Sequence, residues 1–400
     1  MTLRGNALIG QSGGPTCVIN QSLVGVIQEA VAHPAIDRVF GAVHGIRGIL
    51  DENLIDLGLE SMATLERVAT TPCAALRSVR HKPTPEDGQR VLEVLKKHDI
   101  RYFFYIGGND SAETAHLLNE IAVREGYEVR LFHVPKTIDN DLRVTDHCPG
   151  YGSAAKFVAQ GIMGDDQDNR SLPGIKIDII MGRHAGWLTA ASLLARQYED
   201  AGPHLIYVPE NVFTMDQFLD DVARVYDQHG RCLIAASEGI HGPGGETLLE
   251  SAERDSHGNV QLSGSGALGD FLADKVKKGL GDRYDKLRVR ADTFGYLQRS
   301  FAGVYSDVDA REAREVGRTA VRVATAGEHP HGSIVIKRTS NSPYTVSIER
   351  ADLSDVAKVT RDLDPEFLNG HADISDAFLD YVRPLVGDIP QMGRLSDISI

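Results

Sequence analysis

Two stretches of this 400-residue chain put glycines, carboxylates and a cation where an apolar run ends. Gly107-Gly108-Asn109-Asp110-Ser111 follows Tyr102–Ile106, and Pro135-Lys136-Thr137-Ile138-Asp139-Asn140-Asp141 follows Val129–Val134. Transfer of a phosphoryl group to an alcohol needs aligned reactants, positive charge over the migrating group and a base for the attacking hydroxyl. Asp139 and Asp141 offer the base, and Lys136, Arg183 and the Gly13 backbone offer the compensating charge.

Both apolar runs read as strands with a helix between them. Their ends then lie side by side at the carboxyl edge of one parallel sheet, where open α/β sheets bind ligands. An earlier unit has the same form: Ala7-Leu8-Ile9, then Gly10-Gln11-Ser12-Gly13-Gly14-Pro15, then apolar residues at helical spacing from Ile19 to Ala30. That loop serves either an anion at a helix N-terminus or a tight turn, and it lacks the lysine of a P-loop.

Arg77, Arg80 and Lys82 fall in a polar, proline-punctuated segment that can steer a phosphate or stay a solvated loop. Farther on, the buried run Ile175–Met181 ends in Gly182-Arg183, where an arginine reaches an anion held at the strand edge or faces water. Cys232–Ala236 ends in Ser237-Glu238-Gly239, with a glutamate able to accept from sugar hydroxyls. Gly264-Ser265-Gly266-Ala267-Leu268-Gly269 fits the dinucleotide pattern but follows no buried strand, and it is read as a plain turn before a helix over Asp270–Leu280. The rest divides into helices over 86–97, 154–163, 215–226, 309–326 and 373–382, strands over 205–208, 287–294, 333–336 and 344–348, and strand-and-loop over 38–60.

Composition bounds the class. With 42% apolar and 24% charged residues the chain is an ordinary globular α/β protein, long enough for two domains. A formal charge of −14 argues against nucleic acid and anionic membrane as partners, so an anionic substrate must meet local positive charge. Cys17, Cys73, Cys148 and Cys232 lack metal-ligand spacing and fit free thiols in a reducing compartment. Residues 1–6 lack an apolar signal core and no run approaches membrane-spanning length, so a cytoplasmic location is expected.

Gly-Gly-Asn-Asp-Ser at 107–111, Pro-Lys-Thr-Ile-Asp-Asn-Asp at 135–141, Met181-Gly182-Arg183, Gly295-Tyr296-Leu297-Gln298-Arg299 and the opening Ser12-Gly13-Gly14 resemble, in order and spacing, the 6-phosphofructokinase family. The resemblance spans roughly residues 6–305. It implies two Rossmann-like parallel-sheet α/β domains with the active site in the cleft between them. Residues 1–150 plus about 298–345 would bind pyrophosphate and Mg2+, and residues 151–297 plus about 346–400 would bind fructose 6-phosphate. A homodimer, or a homotetramer, is the implied assembly.

ATP-dependent members have glycine at the positions of Asp110 and, usually, Lys136, so both residues resemble the pyrophosphate-dependent branch. A carboxylate at 110 would repel the α-phosphate of ATP and fill its space, while a direct ion pair to Asp110 would orient Lys136. The expected reaction is reversible phosphoryl transfer from pyrophosphate to the 1-hydroxyl of fructose 6-phosphate.

By the same resemblance Asp139 is the general base, Gly13 donates its amide to pyrophosphate, and Lys136 and Arg183 stabilise the migrating group. Thr137, Ile138, Met181, Gly182, Glu238, Tyr296, Leu297, Gln298 and Arg299 line the sugar-phosphate site, Arg290 pairs the 6-phosphate, and Arg80 lies beside pyrophosphate. Asn109 stands where the family usually has a magnesium-associated aspartate, so the metal would be held by a neutral oxygen, by water, or by Asp139 or Asp141 instead. Tyr296 replaces the histidine of ATP-dependent members, and Lys176 is the nearest cation ahead of Met181 in place of an arginine reaching a partner subunit. An ATP-dependent kinase of the same fold and a non-catalytic sugar-phosphate sensor are the alternatives.

Overall fold

The computed structural model describes residues 3–246, 248–249, 266–357 and 360–396. In its first part, strands β1 (Gly5–Gln11), β2 (Ile36–Ala42), β3 (Leu54–Asp56), β4 (Ile100–Gly107) and β5 (Arg130–Pro135) alternate with helices. These helices are α1 (Ile19–Ala32), α2 (Gly45–Leu50), α3 (Met62–Ala69), α4 (Pro85–Lys97) and α5 (Asn109–Arg124). There follow α6 (Tyr151–Ser171), β6 (Ile175–Ile180), α7 (Trp187–Ala190), β7 (Leu205–Tyr207), α8 (Met215–His229), β8 (Cys232–Ser237), α9 (Ala267–Leu280) and β9 (Val289–Thr293). The chain closes with α10 (Asp307–Ala326), β10 (His331–Asn341), β11 (Tyr344–Ala351), α11 (Leu353–Val356) and α12 (Ala377–Val386).

Two compact units result. Among the described residues one unit comprises the chain up to Ala154 with Arg299–Arg361, and the other the chain from Ala155 to Gln298 with the residues from Asp362 on. The second break falls at Arg361 rather than near residue 346, because β11 pairs antiparallel with β10 along its length and so belongs to the first sheet.

That first sheet runs β11-β10-β5-β4-β1-β2-β3, with parallel pairing from β10 through β2. Alternation in β4 sends Tyr102, Phe104 and Ile106 to the core under α1 and α10, and Phe103 and Tyr105 to the core under α2, α4 and α5. The order reverses at β1: β2 lies on one side of it and β4 on the other, so the loops after β1 and β4 diverge and leave a crevice at the carboxyl edge. The second sheet, β7-β8-β6-β9, is parallel throughout, and Ile175, Ile177 and Ile179 of β6 build its core with Ile234, Phe218 and Leu272.

Several elements extend beyond what periodicity indicates. α5 already begins at Asn109, so Asn109, Asp110 and Ser111 form a first helical turn instead of a loop. α6 continues to Ser171, and the last helix is shifted to Ala377–Val386. Strand-and-loop at 38–60 holds in β2 and β3 but is interrupted by a short helix, α2, whose start is set by His44 at φ 72° and is masked in the sequence by its glycines. α3 follows, with its N-terminus capped by Ser61 accepting from Thr64 N–H. Residues 258–265, which include the first glycine of the discounted dinucleotide pattern, lie outside the described residues, and α9 starts just after them at Ala267.

Candidate active site

In the first unit the loop after β1 turns at Gly13, whose φ of +75° few side chains tolerate. Ser78 Oγ donates to the Gly13 carbonyl at 2.6 Å, and the Gly13 N–H donates to Val79 O at 3.2 Å. These bonds tie the glycine loop to the segment that carries Arg77, Arg80 and Lys82, all exposed. Gly14 O accepts from Lys136 Nζ at 2.7 Å, and a Cβ at Gly14 would stand 2.9 Å from Arg299 Nη1. Gly13, Gly14, Lys136 and Arg299 therefore gather at one place.

Lys136 is 3% exposed. Burial, and then the charges of Arg299 and Arg80, push its ammonium down to about 8, while Asp139 and Asp141 pull the other way. Its backbone N–H is held by Gly107 O at 2.9 Å, so the ends of β4 and β5 are adjacent as expected, with Gly107 opposite Pro135. His133, fully buried on β5, contacts that same Gly107 carbonyl at 2.8 Å and Ser333 Oγ at 2.8 Å. Burial lowers it to about 4, which leaves a neutral ring that fixes the strand end.

Thr137 ties this loop together: its hydroxyl accepts from the Asp139 backbone N–H at 3.1 Å and bonds to the Asp141 side chain. Asn140 makes the turn between them at φ 57°, anchored by its Oδ1 accepting from Cys148 N–H at 2.9 Å. Burial, and then the charge of Asp139, raise Asp141 to about 7, so the two carboxylates together retain a proton into the neutral range. Asn109 Nδ2 donates to Asp141 Oδ2 at 3.0 Å, and Asn109 Oδ1 is buried without a hydrogen-bond partner. That oxygen beside two carboxylates is an all-oxygen donor set of the kind a hard divalent cation takes. The residues fit such a metal.

Asp110 is exposed and is the acidic residue of the first turn of α5, where free N–H groups and the helix dipole favour an anion. The expected ion pair with Lys136 does not form. Lys136 is committed to Gly14 O, and the field of Asp110 acts on Lys82, which is paired with Glu113 at 2.8 Å.

In the second unit Met181, Gly182, Arg183, Glu238, Tyr296, Leu297 and Gln298 follow the carboxyl ends of strands, whereas Arg290 is the second residue of β9, opposite Lys176 near the start of β6. Met181 N–H donates to Gln298 Oε1 at 3.1 Å, and Gln298 Nε2 donates to Gly295 O at 2.8 Å, so a buried glutamine joins the end of β6 to the turn after β9. Gly182, at φ +145°, leaves no room for a Cβ, which would meet Ala185 O at 2.6 Å. Its carbonyl accepts from Ser237 Oγ at 2.6 Å, and Glu238, 7% exposed, continues from Ser237 at the end of β8. Arg183 is half-buried with an Nε lacking a partner, while Tyr296, Leu297 and Arg290 are exposed. Lys176 is no free cation: it is paired with Asp165 and Asp168 inside this unit.

Three further residues act on these sites with no mark in the sequence. Asp309 accepts from Gly150 N–H (2.8 Å), Ser153 N–H (2.9 Å) and Ser153 Oγ (2.6 Å), fixing the strand-like bridge of Gly150 to Thr137. Glu210 accepts from Gly186 N–H at 2.9 Å and Leu363 N–H at 2.7 Å, holding the loop that follows Arg183. His133 is the third. Each lies far in sequence from what it holds, and a strand-borne histidine reads as ordinary core.

Residues 6–324 match the phosphofructokinase family model. A pyrophosphate–fructose 6-phosphate 1-phosphotransferase of Rhodospirillum rubrum is 52% identical, the alignment covering 98% of this chain and 97% of the relative. A protein of the same description from Methylococcus capsulatus is 38% identical over 99% of this chain and 97% of its own length. Among solved structures, a pyrophosphate-dependent phosphofructokinase from Marinobacter aquaeolei superposes with a TM-score of 0.85 at 36% identity, covering 98% of this chain and 94% of that one.

Proposed function

This chain belongs to the phosphofructokinase family, and from that premise we propose how its residues carry the reaction. The enzyme transfers a phosphoryl group reversibly from pyrophosphate to the 1-hydroxyl of fructose 6-phosphate, giving fructose 1,6-bisphosphate and phosphate. Asp139 takes the proton of the attacking hydroxyl, with Thr137 and Ile138 setting its position beside the sugar. Lys136, wedged against Gly14 and beside Arg299, neutralises charge that builds on the migrating group and the departing phosphate.

Gly13 leaves space next to the Lys136 ammonium, since a Cβ there would come within 3.2 Å of Nζ, and its weakly held N–H is a donor for pyrophosphate together with Arg80. Asp110 occupies the anion position at the start of α5, where a longer polyphosphate chain would otherwise settle. Met181, Gly182, Arg183, Glu238, Tyr296, Leu297, Gln298 and Arg299 bind the sugar, and Arg290 binds its 6-phosphate.

A divalent metal serves the reaction. We assign it as Mg2+, held by Asn109 Oδ1 with Asp139 and Asp141, and when bound it supplies charge neutralisation across the pyrophosphate oxygens. The working protein is proposed to be a cytoplasmic homo-oligomer, a dimer at least; no helix among the described residues is long and apolar enough to cross a membrane.

The observation that carries this reading is the buried lysine that bonds the glycine loop within the field of Asp139 and Asp141. The test supplies fructose 6-phosphate and Mg2+ with pyrophosphate or ATP and follows fructose 1,6-bisphosphate, then runs the reverse from fructose 1,6-bisphosphate and phosphate. Turnover in both directions with pyrophosphate is expected. Turnover with ATP alone would overturn the donor assignment.

A further inference from the structure

We propose that the second unit carries a divalent-cation site of its own, formed by Asp165, Asp178 and Asp292. Asp178 lies in the middle of β6, a central strand between β8 and β9, where an aspartate is costly both for strand propensity and for burial of its charge. Ile175, Ile177 and Ile179 take the core face of β6, so Lys176 and Asp178 share the other, toward α6. There Asp178 meets Asp165 of α6, and it lies opposite Asp292 in the pairing of β6 with β9.

One oxygen from each of the three carboxylates lies within 4.8 Å of the other two. Asp178 is 1% exposed, and its Oδ2 is buried with no hydrogen-bond partner, as is Asp165 Oδ2. The local cation is already used: Lys176 pairs with Asp165 Oδ1 and, at 2.5 Å, with Asp168 Oδ2. One ammonium thus faces four carboxylates, and two buried oxygens are left without a partner.

An all-oxygen set of this size suits a hard cation. Ca2+ takes about 6–8 oxygens in a flexible shell, whereas Mg2+ demands near-ideal octahedral geometry. Asp292 is exposed, which gives an ion an entry path and leaves room for water to complete its shell. A ligand set drawn from two strands and a helix suits the more tolerant Ca2+, and binding locks β6, β9 and α6 together beneath the strand ends that carry Met181-Gly182-Arg183 and Gly295–Arg299.

Calorimetric titration of the full chain with Ca2+ alone, without pyrophosphate, tests this alongside melting temperature with and without Ca2+. Four proteins are compared: wild type, Asp178→Asn, Asp292→Asn, and a double variant, Asp139→Asn with Asp141→Asn, that lacks the catalytic carboxylates. Wild type and the double variant should bind Ca2+ and melt at a higher temperature in its presence. Asp178→Asn and Asp292→Asn should bind about tenfold or more weakly at this site and lose that rise. Because Asn keeps the shape of Asp and Asp292 is exposed, at least one of the two single variants should fold normally. Loss of all Ca2+ binding in the double variant would overturn the proposal, as would an undiminished Ca2+ response in both single variants. A rise in melting temperature of Asp178→Asn with no Ca2+ response in wild type would mean that the cluster is neutralised by a proton instead.

Discussion

The residues assigned to the phosphoryl donor and those assigned to the sugar are built by opposite means. The donor set in the first unit buries charge: Lys136 is pushed down to about 8, Asp141 is raised to about 7, and Asn109 keeps an unpartnered oxygen. Backbone positioning dominates the sugar set in the second unit, with Gln298 holding Met181, Ser237 holding Gly182, and Arg290, Tyr296 and Leu297 left exposed. Phosphoryl transfer explains the difference, because its cost is charge that must be met at the moment of transfer by groups already in place. Recognition of a sugar phosphate needs shape and a few donors.

Replacing a member of the charged set should break the comparison most severely. Asp139→Asn should lower kcat by about 10²–10⁴-fold with little change in KM for fructose 6-phosphate. Steady-state kinetics check this, and near-normal turnover would pass the base role to Asp141.

Lys136→Met should lower kcat/KM for pyrophosphate by about 10²–10³-fold. The same variant should melt no lower than wild type, since it replaces a desolvated charge with an apolar chain of similar length. Differential scanning calorimetry beside the kinetics separates the two effects. A large loss of stability would show that the ammonium is structural.

The pH profile is a smaller effect with a defined sign. The base must be unprotonated, so as pH falls below about 7 the retained proton on the Asp139 and Asp141 pair should reduce kcat/KM; as pH rises past about 8, Lys136 loses its charge and the rate should fall again. Each limb approaches about tenfold per pH unit, and saturating metal should move the acid limb lower. A profile flat from pH 6 to 9 would remove either group from the transferring step.

The mildest change is Gln298→Ala. It leaves Met181 N–H without its acceptor, which costs about 1–3 kcal/mol, and should raise KM for fructose 6-phosphate while leaving kcat and the pH profile nearly unaltered. If kcat fell instead, the sugar set would be doing more than positioning.

What the sequence makes legible follows from how local each feature is. The adjacency of Gly107 and Pro135 is readable because two strands with a helix between them must lie parallel, and the β1 loop because strand, glycines and helix follow one another directly. The first turn of α5 is obscured by glycines that resemble a loop, and α2 by the same residue type. Contacts such as Asp309 with Ser153, Glu210 with Leu363 or Lys176 with Asp165 depend on tertiary folding alone. An ion pair of Asp110 with Lys136 is reasonable from charge and proximity in the motif, but the Gly14 carbonyl offers the buried ammonium a closer partner.

The donor preference tests the central claim most directly. Measured as kcat/KM for pyrophosphate and for ATP in wild type and in Asp110→Gly, it asks whether a carboxylate at the N-terminus of α5 excludes the nucleotide. Wild type should favour pyrophosphate strongly, and Asp110→Gly should narrow that preference by about tenfold or more, by admitting ATP. Equal preference in the two proteins, or a wild type that works faster with ATP, would contradict the account.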